Sequence, residues 1–311
     1  MKMNKWIIYA SALGLISGFC DAEAAEKLHL DVASTRHLEL PTLETGNASP
    51  GKKAAVTPPE HAGSTVFHTL YLPENWNPDW QKTGERLPII FEYAGNYHPP
   101  TGSTGEPEDA ALGYGLSGGK YIWVSLPFVS DDHQDNAIKW WGDLDATVEY
   151  AKVNVPRIIE TYGGDPNAVF LCGFSRGSIA VNYIGLHDDE IAALWSGFIT
   201  HDHFDGAKAG GGWGSPLAGY QAVASNRLMR VAGRPYMVGS NGASKQIRAF
   251  IDSAQTVQTN FYFHAVGINS IFPEGFPNDI AAHAHTDRWL TRPSVYRQNA
   301  WEWMNGVINR D

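Results

Sequence analysis

The sequence predicts an α/β fold, a mostly parallel central sheet with helices on both faces. Short apolar runs bounded by turn residues recur along the chain, and helical periodicity appears between them. A length of 311 residues with a 43% apolar fraction is enough for one large domain with its own core.

The elements are read in order. Val66 to Leu72 reads as an early strand, and Leu87 to Ala94 and Tyr121 to Pro127 as strands covered on both faces. Between Asp143 and Tyr162 the period becomes helical, with Leu144, Val148, Ala151, Val155 and Ile158 on one face and a kink or restart expected at Pro156. Gly163-Gly164-Asp165-Pro166 ends that helix. Ala168 to Phe174 reads as a buried strand, Gly177 to Leu186 as a helix and Ile191 to Thr200 as a strand. A strand at Tyr236 to Gly239, a helix from Ser244 to Val257, a strand from Phe261 to Val266 and a closing helix within Trp289 to Val307 complete the pattern.

The ends read differently. Lys2 and Lys5 precede an apolar run from Trp6 to Phe19, and Ala22-Glu23-Ala24 offers small residues at a cleavage site, so residues 1–24 are expected to be a signal peptide. The run is short for a membrane span, and no other stretch could cross one. The product is therefore expected to be exported, periplasmic or extracellular. Residues 25–62 are polar with no clean period and read as a linker or loosely attached arm, leaving 63–311 as the folded domain. Of the two cysteines, Cys20 would leave with the signal, and Cys172 sits in an apolar strand pattern as a buried, inert thiol. The net charge of -10 argues against nucleic acid or an anionic membrane as partner.

The chemistry centres on Gly173-Phe174-Ser175-Arg176-Gly177, a G-x-S-x-G motif. It follows the apolar strand Val169-Phe170-Leu171 and opens a helix containing Ile179, Ala180, Tyr183 and Ile184. That setting puts a serine on a sharp strand-to-helix turn at the carboxyl edge of the sheet. Its hydroxyl is exposed, and the next amide, that of Arg176, can face a developing oxyanion.

On this motif, and on Gly164-Asp165-Pro166-Asn167-Ala168-Val169-Phe170-Leu171 before it, the chain resembles the α/β-hydrolase superfamily. It looks closest to secreted esterases of the polyhydroxybutyrate-depolymerase and feruloyl-esterase kind. The likeness runs from about Ser64 to the C-terminus and is specific at the elbow and a few loops. It implies the α/β-hydrolase fold, Ser175 as nucleophile and no cofactor. A second oxyanion amide is expected near Asn96, in the loop after Ile89-Ile90-Phe91, and a base near the C-terminus. His285, in His-Thr-Asp-Arg-Trp, resembles that base, with His283 as runner-up. The substrate class implied is a small-molecule or polysaccharide ester, including hydroxycinnamoyl and polyester substrates.

The acid departs from the pattern. The loop where relatives carry it reads Ser240-Asn241-Gly242-Ala243-Ser244, with no carboxylate, and Asp252 falls inside the next helix. The alternative place, after the strand that follows the nucleophile helix, reads Thr200-His201-Asp202-His203-Phe204-Asp205-Gly206. Asp205 is favoured because an Asp-Gly turn could aim it at His285, with Asp202 as the alternative. Two rival readings stay open. His201, His203 and Asp205 also fit the H-x-H-x-D segment of metal-dependent hydrolases. The missing acid favours a non-catalytic binding protein of the same fold, against which Ser175 and His285 both count. Asp131 to Asp135 reads as a solvated acidic loop rather than a calcium site, Trp140-Trp141 as an aromatic pair half in the core, and Lys208 to Gly214 as a candidate flap.

Overall fold

A computed structural model of the chain describes residues 28–207, 221–242, 244–254, 261–273 and 284–309. The signal-peptide reading, His283 and the candidate flap lie outside the described residues.

Among the described residues nine strands form one sheet: β1 (Leu43–Glu44), β2 (Lys53–Val56), β3 (His68–Tyr71), β4 (Leu87–Tyr93), β5 (Ile122–Leu126), β6 (Gly164–Phe174), β7 (Gly197–His201), β8 (Tyr236–Asn241) and β9 (Phe261–Val266). Their order is β1-β2-β3-β5-β4-β6-β7-β8-β9. From β5 to β9 every neighbour is parallel, and β3 is antiparallel to both β2 and β5. Parallel strands need crossovers that cover the sheet. One face carries α2 (Leu144–Tyr162), α3 (Arg176–Tyr183), α4 (Gln221–Met229) and α5 (Lys245–Ala254). The other carries α1 (Leu112–Ser117) and α6 (Val295–Ile308). The alternation of β4 shows the division, with Ile89, Phe91 and Tyr93 packing on the first face and Ile90 on the second.

Three expectations are corrected. Residues 28–62 are not a loose arm. β2 pairs along its length with β3, Leu30 is buried and its amide donates to Asn305 Oδ1, and the buried Arg297 guanidinium donates to the carbonyls of Ser34 and Arg36. The segment's partners lie far away in sequence, so no local period marks it. Helix α2 runs unbroken through Pro156, opened by Asp143 accepting from the Ala146 amide and closed by left-handed Gly163. The apolar run at Ile191 is a short helix, Asp189–Ala192, because the Asp188 carboxylate caps the amides of Glu190 and Ile191, so the strand begins at Gly197. Among the described residues no helix is long and apolar enough to cross a membrane.

Candidate active site

The elbow is built by close packing. β6 ends at Phe174, and Ser175 turns the chain into α3 with φ 55° and ψ −118°, a sparsely populated positive-φ conformation that costs a non-glycine residue on the order of 1–3 kcal/mol. Glycine is required on both sides. A Cβ on Gly173 would lie 2.2 Å from the Gly177 carbonyl oxygen, and one on Gly177 would lie 1.7 Å from that of Tyr93. The serine therefore stands at the carboxyl edge of the sheet with its amide bonded to the His201 carbonyl.

Register places the next residues. Phe174 of β6 is paired with His201 of β7, so Ser175 and Asp202 leave neighbouring strands at the same edge. Asp202 also takes a positive-φ conformation, φ 74°, which turns its carboxylate toward the residues before α6. His285 fills the space between them. Its Nε2 lies 2.9 Å from Ser175 Oγ, and its Nδ1 lies 2.9 Å from Asp202 Oδ2. The ring rests on Phe174, with centroids 4.5 Å apart. The second carboxylate oxygen, Asp202 Oδ1, accepts from the Asn241 amide at 2.7 Å. The loop after β8 thus supplies a donor to the acid in place of a carboxylate.

Asp202 is nearly buried, and burial alone would raise its pKa. The charge of His201, the hydrogen bond and charge of His285, and the Asn241 amide outweigh this and hold it well below the usual carboxylate range. His201 is itself fully buried and pushed toward its neutral form by desolvation.

The favoured acid is corrected: the carboxylate that reaches His285 is that of Asp202, not Asp205. Asp205 is buried and forms a two-point ion pair with Arg227 of α4, at 2.8 Å and 3.1 Å. Desolvation pushes its pKa up to about 6 against that pairing. Its partner lies 22 positions on and carries no local signal.

The metal-dependent alternative is corrected by the same contacts. His201 stacks on Phe174 and packs against Trp289, while Asp205 is held by Arg227. His203 lies beside the His285 ring. The three do not converge, and among the described residues no group of three such side chains is arranged to hold a metal ion. Asp132 accepts from Ser130 and the Gln134 amide, and His133 bonds Asp143, so the acidic loop is tied up by its own turn. Cys172 is buried, and desolvation raises its thiol pKa well above the ordinary value.

A cleft of about 790 Å³ opens over Ser175 and His285. Asn96, Tyr97, Lys139 and Trp140 are among the residues lining it. Trp141, by contrast, is buried and packs on Phe128 and Tyr183. The loop after β4 lies against the nucleophile, since a Cβ on Gly95 would be 3.5 Å from Ser175 Cβ. Sequence reasoning treated Arg176 only as a backbone donor. Its side chain is buried, with its guanidinium 3.9 Å over the Phe128 ring. Desolvation lowers its pKa to about 9, so it stays charged at neutral pH.

The sequence matches no family model and no curated protein. Solved structures do resemble it. The chain is similar to a sugar hydrolase from Lactococcus lactis, with 15% identity and a TM-score of 0.50 over 83% of this chain and 98% of that one. It is similar to esterase Est22 with p-nitrophenol, with 13% identity and a TM-score of 0.51 over 83% of this chain and 80% of that one. A thermostable esterase aligns at 15% identity and a TM-score of 0.47 over 80% of this chain, which spans 61% of that protein's length. At these identities the likeness to the sugar hydrolase and to Est22 is one of architecture, and with the strand order above it shows that the chain has the α/β-hydrolase fold.

Proposed function

We propose that this chain is an exported serine hydrolase that cleaves carboxylic esters through an acyl-serine intermediate. The observation that carries the reading is one imidazole bridging Ser175 Oγ and the Asp202 carboxylate at 2.9 Å on each side. In that arrangement His285 Nε2 takes the serine proton as Oγ attacks the acyl carbon, and later gives it to the leaving alkoxide. Asp202 holds the Nδ1–H tautomer and stabilises the imidazolium by charge. The amide of Arg176, with that of Asn96, would bind the oxyanion of the tetrahedral intermediate. Water then repeats the sequence on the acyl enzyme, with His285 as base, and releases the acid and free Ser175.

Small-molecule or polysaccharide esters, including hydroxycinnamoyl and polyester substrates, fit a cleft walled by Tyr97 and Trp140. Two structural neighbours, an esterase with p-nitrophenol and a sugar hydrolase, agree with ester and sugar chemistry. Export rests on the charge and apolarity of residues 1–24. Hydrolysis of p-nitrophenyl butyrate, followed by a screen of acetylated and feruloylated glycans beside short acyl esters, tests the reading. Turnover of esters supports it, and activity confined to amide bonds overturns it.

A further inference from the structure

The five N–H groups of the Arg176 guanidinium all meet backbone carbonyls. Nη2 donates to Gly95 and Gly105, each at 2.9 Å, Nη1 donates to Ala137 and Trp140, each at 2.8 Å, and Nε reaches Ala94 at 3.5 Å. A planar fork with five donors can tie together that many acceptors, whereas an ammonium has three. The acceptors belong to three separate stretches of chain, and Gly95 and Trp140 line the cleft. The same walls are joined by the Trp140 amide donating to Asn96 Oδ1 at 2.8 Å and the Tyr97 amide to the Ile138 carbonyl at 2.8 Å.

The Gly95 carbonyl and the Asn96 N–H are the two ends of one peptide plane. In a trans peptide they point in opposite directions, and among the described residues no peptide is cis. A guanidinium fixed on the carbonyl end therefore fixes the direction of the N–H. It also polarises that N–H, because hydrogen-bonded dipoles in a buried site strengthen one another. The Arg176 amide is meanwhile the first after Ser175.

We propose that the Arg176 side chain is a positioning residue for the oxyanion site, one that aims the Asn96 N–H at the acyl oxygen through the Gly95 carbonyl. One residue then governs both donors, the first by its own amide and the second through its guanidinium. The inference rests on the serine-esterase reading above and deepens it. Because the contacts are the same for any acyl group, the effect belongs to the chemical step rather than to substrate affinity.

The test compares wild type, Arg176→Lys, Arg176→Met and Ser175→Ala on p-nitrophenyl butyrate. Rates are expressed per active site titrated with a fluorophosphonate, so that a smaller folded fraction does not count as lost catalysis. Arg176→Lys should lower kcat about tenfold or more, and Arg176→Met on the order of 10²-fold, with KM within about twofold. Affinity for a trifluoromethyl ketone, which forms a tetrahedral adduct on the serine, should fall in parallel with kcat. An unchanged kcat per titrated site in both variants overturns the proposal, as does a loss confined to KM. If the variants do not fold, amide spectra of the ¹⁵N-labelled wild type decide. The Asn96 and Arg176 amides should both shift downfield on adduct formation, and an unmoved Asn96 amide overturns the proposal. Wild type that neither turns over the ester nor takes the fluorophosphonate points to failure of the esterase reading instead.

Discussion

Asp202 Oδ2 and His285 Nδ1 lie 2.9 Å apart although the two residues are 83 positions apart in sequence. The contact exists because β6 and β7 are in register, so that Ser175 and Asp202 emerge side by side and the segment before α6 crosses both. A buried carboxylate facing one imidazole nitrogen fixes the tautomer whose other nitrogen accepts the serine proton.

Asp202→Asn should therefore lower kcat on p-nitrophenyl butyrate by about 10⁴-fold with KM little changed, as the loss of an interaction made in the transition state. Steady-state kinetics check this. A loss below tenfold would remove Asp202 from the charge-stabilising role.

Asp205→Asn should behave in the opposite way. It leaves the Arg227 guanidinium buried without its counter-charge, a change that costs about 3–5 kcal/mol when a buried pair is broken. Urea denaturation should show that loss, while kcat of the folded fraction stays within a few-fold of wild type.

Gly177→Ala places a methyl group 1.7 Å from the Tyr93 carbonyl oxygen, and Gly173→Ala places one 2.2 Å from that of Gly177. Backbone atoms cannot move aside as a flexible side chain can, so each substitution should cost more than the about 1–3 kcal/mol usual for overpacking. Low soluble yield, or a large fall in thermal midpoint, is expected from each. A fully active, equally stable Gly177→Ala enzyme would contradict the elbow geometry.

Stability should fall as pH rises through the mildly alkaline range. Burial pulls His68 down to about 3 and His264 to about 4, from an ordinary 6.5. The unfolded chain then binds more protons between those values and 6.5, so stability falls as pH drops through that window. Burial, reinforced by Asp287, pushes Glu92 up to about 8 from 4.5, and burial pushes Asp287 up to about 6 from 3.8. Here the folded chain holds the extra protons, so stability is full below the unfolded values and falls as pH rises through the folded ones. Between about pH 6.5 and 8 only Glu92 of these four groups still changes its proton occupancy between folded and unfolded chain, so thermal midpoints should decline as pH rises through that range. Glu92→Gln should flatten the alkaline limb. A wild-type midpoint still rising at about pH 8 would contradict this assignment.

The parts legible in the sequence were those with a local cause. The run Val169-Phe170-Leu171 before Gly173-Phe174-Ser175-Arg176-Gly177 marks a strand, a tight turn and a helix within a few residues, and the observed β6, elbow and α3 follow it. What escaped depended on distant partners. β2 is held by β3, Asp205 by Arg227, and the Arg176 guanidinium by carbonyls up to 82 positions away. Turn chemistry favours Asp205, which stands before Gly206. Strand register decides between Asp205 and Asp202, because Asp202 is the first residue beyond β7, as Ser175 is beyond β6.

The most direct measurement of the central claim is covalent labelling of the folded protein with a fluorophosphonate, read by peptide mass spectrometry beside the activity of Ser175→Ala. A serine activated by the His285–Asp202 pair should take the label stoichiometrically at Ser175, with ester turnover lost in step, and Ser175→Ala should be folded, unlabelled and inactive. Ester turnover that survives in Ser175→Ala, or in wild type fully labelled at Ser175, would contradict the account.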